Sequence, residues 1–142
     1  MKHFLIRTDG GARGNPGPAG FGVVLENAMN GEVIEQHGEF IGHATNNVAE
    51  YRGVVWGLRR AHELGATRVD VVADSELLIK QCKGLYKVKN AGLAPLYLKI
   101  KNLETLIGHV TYRHVRREYN KAADALANRA MDQGTGSMVH SF

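Results

Sequence analysis

ATRVDVVADSELLIKQCK, residues 66–83, is the stretch on which the fold turns. Residues 68–73 close on Val71, Val72 and Ala73, a run apolar enough for both faces to be covered, as in a central strand of a parallel sheet. Asp74 and Ser75 follow as a helix cap, and residues 76–83 read as the helix they open. Upstream, residues 48–64 carry a longer helix. Val48, Tyr51, Val55 and Leu58 recur at helical spacing, Asn46 and Asn47 stand as N-caps, and Glu50 lies three residues beyond Asn47. On a second stripe Ala49, Gly53, Gly57 and Ala61 repeat every four residues. A glycine inside a helix costs about 1 kcal/mol relative to alanine, so the stripe signals a sheet packed close against it.

Further upstream, residues 3–8 read as a strand that Asp9 ends, and residues 10–22 as a glycine-rich turn. Strands over 22–26 and 32–40 follow, joined through Asn30-Gly31. Downstream come a loop over 83–92, a helix over 94–107 with Pro95 in its first turn, and a strand over 109–115. Asn120 caps a last helix running to about Met131. Three antiparallel strands followed by β-α alternation predict an α/β fold, a mixed sheet with helices on both faces. At 142 residues the chain holds one domain, over 1–132, with a flexible tail over 133–142.

An apolar fraction of 44% and a charged fraction of 23% exclude a disordered chain. No apolar run is long enough to cross a bilayer, and no signal-peptide core follows Met1. A single cysteine, Cys82, suits a reducing compartment, so a cytoplasmic protein is expected. The net charge of +4 is compatible with a polyanionic partner such as nucleic acid, without being diagnostic.

Four carboxylates recur at element ends: Asp9 and Asp74 after strands, Glu50 and Asp124 in first turns of helices. Each of the last three has an ordinary structural use, Glu50 and Asp124 beside a helix dipole and Asp74 as a cap. Asp9, ending an apolar strand before glycines, caps nothing. If the strands before them are parallel, all four acids meet at one end of the sheet, where the chemistry of α/β folds collects. Four such acids repel unless cations neutralise them. Oxygen ligands without His or Cys select magnesium or manganese over zinc, and paired magnesium ions serve in-line displacement at phosphorus. The glycine-rich turn is a poor phosphate cradle: no helix follows it, and Pro16 and Pro18 lack amide donors.

Thr8-Asp9-Gly10-Gly11 with Gly14-Asn15-Pro16-Gly17-Pro18-Ala19-Gly20 resembles the opening of a type 1 ribonuclease H. The resemblance continues through Thr45-Asn46-Asn47-Val48-Ala49-Glu50, Asp74-Ser75 and Asn120-Lys121-Ala122-Ala123-Asp124, spanning residues 2–131. It implies the ribonuclease H-like fold, a five-stranded mixed sheet, and endonucleolytic hydrolysis of the RNA strand of RNA–DNA hybrids, leaving 5′-phosphate and 3′-hydroxyl ends. Asp9, Glu50, Asp74 and Asp124 match the family's positions for two Mg2+ ions, with Mn2+ as a substitute. Asn15, Asn46 and Asn47 match positions that contact the hybrid's minor groove, where only the RNA strand shows 2′-hydroxyls. Thr45 and Asn90 resemble members of a pocket for a DNA-strand phosphate.

Three departures accompany the match. Residues 114–120, His114-Val115-Arg116-Arg117-Glu118-Tyr119-Asn120, are too short for the histidine-bearing loop of many relatives. They resemble a subgroup with arginine there, and Arg117 rather than Arg116 is expected to take the part, binding phosphate or helping product leave. His114 is read as a strand residue. The tryptophan-bearing basic protrusion is absent, leaving Lys80, Lys83, Lys87 and Lys89 as a reduced substitute and a salt-sensitive grip. His43 stands where the phosphate pocket usually has arginine, and an imidazole loses its charge near neutral pH. A free-standing, monomeric enzyme is expected. The alternatives are a non-catalytic hybrid-binding module and a broader nuclease that also cuts duplex RNA.

Overall fold

A computed structural model describes residues 2–136. Its five strands are β1 (His3–Ala12), β2 (Gly17–Asn27), β3 (Val33–Ala44), β4 (Arg68–Ala73) and β5 (His109–His114). The helices are α1 (Asn46–Glu63), α2 (Glu76–Cys82), α3 (Ala94–Ile107) and α4 (Lys121–Gly134), with a single 3-10 turn at Arg117–Tyr119. One mixed sheet runs β3-β2-β1-β4-β5, antiparallel through the first three strands and parallel through β1, β4 and β5. The expected order of elements and the five-stranded mixed sheet are therefore both present.

Helices cover both faces. Ile6 and Val23 point at α1, whose Gly57 would bring a Cβ within 2.9 Å of Ile6. On the other face Gly22 lies under α4, where a Cβ would stand 2.6 Å from that of Leu126. The stripe Ala49, Gly53, Gly57 and Ala61 is buried, as its spacing predicts. Ile6, Val23, Val54, Leu58, Val69 and Val71 close the core between α1 and the sheet.

The glycine-rich stretch differs from expectation. Only residues 13–16 form the turn; Gly10 and Gly11 are β1 residues paired with Phe21 and Gly20. The reason is steric rather than conformational. Gly10 and Gly22 lack a Cβ because α1 and α4 lie on them, and Gly17 because the turn's own carbonyls do, whereas Gly11 has room; Gly14 alone in the turn needs a positive φ, of 80°. The α1 cap also differs: Thr45, not Asn46 or Asn47, is the N-cap, its Oγ1 accepting from Val48 N at 3.2 Å. Asn120 occupies the α4 cap position without capping. Its Nδ2 instead donates to Thr8 O at 2.8 Å, a buried bond that joins α4 to β1. Helix α4 runs to Gly134, past Met131, and takes in the first residues of the segment expected as a tail. Residues 137–142 of that tail lie outside the described residues. No helix of the described residues is long and apolar enough to cross a membrane.

Candidate active site

The parallel arrangement of β1 and β4 decides where the acids go. Their register pairs Thr8 with Ala73 as the last parallel pair, so Asp74 leaves β4 beside Asp9. Asp9 does not end its strand as expected, because β1 runs on to Ala12 paired with β2. Glu50 projects from the second turn of α1, not the first as expected, because the helix already begins at Asn46. Gly10 lets the helix backbone approach the strand there, and a Cβ on Gly10 would lie 2.6 Å from Glu50 N. Asp124 comes from the first turn of α4, which the Asn120–Thr8 bond ties to the residue before Asp9. All four carboxylates line one cleft of about 500 Å³, shared with Asn46, Asn47, Arg117 and Asn128.

The cleft is hard on negative charge. Burial is the first cause that lifts Asp9, to about 8, followed by a hydrogen bond with Asp124 and the charges of Asp74 and Asp124. The Gly10 amide, donating to Asp9 Oδ1 at 2.9 Å, opposes part of that rise. Burial likewise raises Glu50 to about 7, with the Ser75 hydroxyl pulling down and Asp74 pushing up. Asp74 is 10% exposed at its side chain, and its Oδ2 is buried without a hydrogen-bond partner. A buried carboxylate oxygen that accepts no hydrogen bond and lies among other acids suits a cation ligand. The donor set is all oxygen, which fits magnesium or manganese. Among the described residues no three such side chains are yet drawn into the close grouping of a formed metal site.

The expected substrate residues divide. Asn46 and Asn47 line the cleft, although Asn46 Oδ1 already accepts from Ala12 N at 2.6 Å. Asn15, Thr45 and Asn90 lie outside it. Asn15 Oδ1 accepts from Asn46 N at 3.1 Å, Thr45 serves as the α1 cap, and Asn90 Oδ1 accepts from Gly92 N at 2.7 Å. Arg117 reaches the cleft, 83% exposed, with Nε 4.0 Å from Asp74 Oδ2. Arg116 instead lies 3.9 Å from Glu118 and does not line the cleft, while His114 ends β5 as a strand residue. Residue reading missed Asn128 and Arg13. Asn128 stands one turn beyond Asp124 on the same face of α4, and Arg13 pairs with Asp132 and donates to Asn128 O at 3.3 Å. The helical spacing of Asp124, Asn128 and Asp132 was the available signal for that face.

The Reverse transcriptase-like family matches residues 7–130 of the chain. A bifunctional protein of Mycobacterium tuberculosis is 46% identical over 133 residues, which cover 94% of this chain and 36% of that protein. The chain thus spans about a third of the length of this relative. The solved structure of the N-terminal RNase H domain of an M. tuberculosis protein, fused to maltose-binding protein, superposes with a TM-score of 0.92 at 44% identity, covering 96% of this chain and 99% of that one. LC11-RNase H1, solved in complex with an RNA/DNA hybrid, superposes at 0.87 with 38% identity, covering 93% and 99%.

Proposed function

The chain belongs to the ribonuclease H family, and from that premise we propose that it hydrolyses the RNA strand of RNA–DNA hybrids endonucleolytically, with two magnesium ions, leaving 5′-phosphate and 3′-hydroxyl ends. The convergence of Asp9, Glu50, Asp74 and Asp124 on one cleft carries this reading. These four residues would hold the ions, and manganese would substitute for magnesium. When bound, such a pair supplies a nucleophile from water at neutral pH and stabilises charge on the leaving oxygen.

The remaining roles fall to the chain itself. Asn47, at the cleft wall beside Glu50, offers an amide that both donates and accepts, which suits a 2′-hydroxyl with the same dual character. Asn46 and Asn15, bonded to each other, would extend that contact along the minor groove. Thr45 and Asn90 would meet the DNA strand. Arg117, free to swing at 83% exposure, would bind phosphate at the rim. Arg117→Ala is therefore expected to lower kcat about tenfold with the melting temperature unchanged. An undiminished rate, or an equal loss on Arg116→Ala alone, would remove Arg117 from this role.

End-labelled RNA–DNA hybrid, duplex RNA and duplex DNA, each digested with magnesium, with manganese and with chelator, test the function. Cutting confined to the RNA of the hybrid and dependent on either ion is expected. Hydrolysis that persists in chelator, or equal cutting of all three duplexes, would overturn the reading.

A further inference from the structure

Tyr51 and Gln81 form a buried polar pair beside the apolar core. Tyr51 follows Glu50 in α1 and is 1% exposed; Gln81, near the end of α2, is 7% exposed. The Tyr51 hydroxyl donates to Gln81 Oε1 at 2.5 Å. With the amide oxygen thus occupied, the Gln81 NH2 is turned outward, and it donates to Lys87 O at 3.4 Å. Among the described residues this is the one hydrogen bond made by the main chain of residues 87–89.

The segment so tethered runs from Lys83 to Leu93 between α2 and α3 and carries Lys87, Lys89 and Asn90. Its near end is anchored separately, by Leu85 N donating to Lys80 O at 2.9 Å and by Lys101 Nζ donating to Cys82 O at 2.5 Å. Beyond Tyr86 nothing polar but the Gln81 amide fixes the backbone until the Asn90–Gly92 turn. Burying an amide and a phenol is favourable only when their polar atoms are satisfied. Here the satisfied chain leads from the helix bearing Glu50, through the helix that Asp74 and Ser75 open, to the lysine loop.

We propose that Tyr51 and Gln81 are positioning residues for substrate grip, holding the 83–93 loop so that Lys87, Lys89 and Asn90 meet the nucleic-acid backbone. This rests on the hybrid-cleaving reading above. Because neither side chain touches the cleft, the pair acts on affinity and leaves the chemical step alone. A loop that loses its tether contributes fewer simultaneous phosphate contacts, and each lost contact lowers the salt dependence of binding by about one power of salt.

The test uses Tyr51→Phe, which deletes only the hydroxyl, and Gln81→Met, which keeps the length of the side chain. A short fluorescent RNA–DNA hybrid serves as the probe, binding being read in chelator and turnover in magnesium. Each variant is expected to raise Kd and KM by about fivefold with kcat within twofold, and to flatten the plot of log Kd against log salt by about one unit. The double variant should be no worse than the poorer single, since both break one chain of bonds. Unchanged Kd, KM and salt slope beside a lowered melting temperature would show a merely structural pair and overturn the proposal, as would additive losses. Should Gln81→Met fail to fold, Tyr51→Phe decides alone. Failure of the wild-type chain to cut or bind hybrid would instead defeat the functional reading on which the proposal stands.

Discussion

Asp9→Asn is expected to abolish hybrid cleavage, lowering kcat at least a thousandfold, while the folded protein becomes more stable rather than less. The amide keeps the volume of the carboxylate and can still accept from Gly10 N, so β1 and its neighbours lose no packing. What disappears is a charge that burial, Asp124 and Asp74 all oppose. Removing a central ligand from an all-oxygen site removes several kcal/mol of electrostatic stabilisation at the reacting phosphorus, and the thousandfold figure corresponds to about 4 kcal/mol. Steady-state cleavage of labelled hybrid reads the first effect. Wild-type turnover in the variant would break the assignment of Asp9.

The stability half of that expectation follows from linkage. Asp9 is raised to about 8 from an ordinary 3.8, and Glu50 to about 7 from 4.5. Between those limits the folded protein retains protons that the unfolded chain has released. Stability is therefore fullest below about pH 4 as far as these two groups are concerned, and it declines as pH rises to about 8. In chelator, the melting temperature should fall by on the order of 15 °C between pH 5 and pH 8. Asp9→Asn should flatten most of that slope, and millimolar magnesium at pH 8 should restore stability to wild type but less to the variant. A wild-type melting temperature independent of both pH and magnesium would mean that the acids are not in electrostatic conflict.

Much of this site was legible in the residues because Asp74 and Asp124 sit where elements end and begin, and Asp9 lies where the parallel pairing of β1 and β4 stops. The apolar run of 68–73 fixed β4 as an interior strand, and a parallel β1 then forced Asp9 and Asp74 together. The glycine stripe of α1 announced a close sheet, which the buried Gly53 and Gly57 occupy. The errors share a cause. Gly10, Gly11, Gly17, Gly20 and Gly22 were read for their backbone freedom, as a turn, whereas all five lie within β1 or β2. A glycine required by a neighbour's volume and one required by its own φ look alike in a sequence. Asn120 shows the same ambiguity in polar form: a side chain able to cap can equally hold a distant carbonyl, and only the tertiary contact between α4 and β1 decides. The Tyr51–Gln81 pair was invisible for that reason too, since Tyr51 fits the apolar spacing of α1 and its hydroxyl leaves no pattern.

Gly10 and Gly11 turn this distinction into an experiment on adjacent residues. A Cβ on Gly10 would stand 2.6 Å from Ala49 C and from Glu50 N, both backbone atoms of α1 that cannot rotate aside. Accommodating a methyl group there requires the start of α1 to lift from β1, carrying Glu50 away from Asp9. Gly10→Ala is thus expected to cost about 2–4 kcal/mol, within the range for forced overpacking against rigid structure, and to lower kcat in step because Glu50 moves. On Gly11 the same Cβ would meet Asn46 Oδ1 at 3.7 Å and Met131 Cε at 3.9 Å, ordinary van der Waals distances. Its φ is not positive, so an alanine fits the strand without strain. Gly11→Ala should leave stability within about 0.5 kcal/mol, or raise it slightly by restricting the unfolded chain. Urea unfolding of both variants in chelator separates packing from ion binding. Equal stability losses would show that the two glycines serve the backbone alike, and that the approach of α1 to β1 is not what places Glu50.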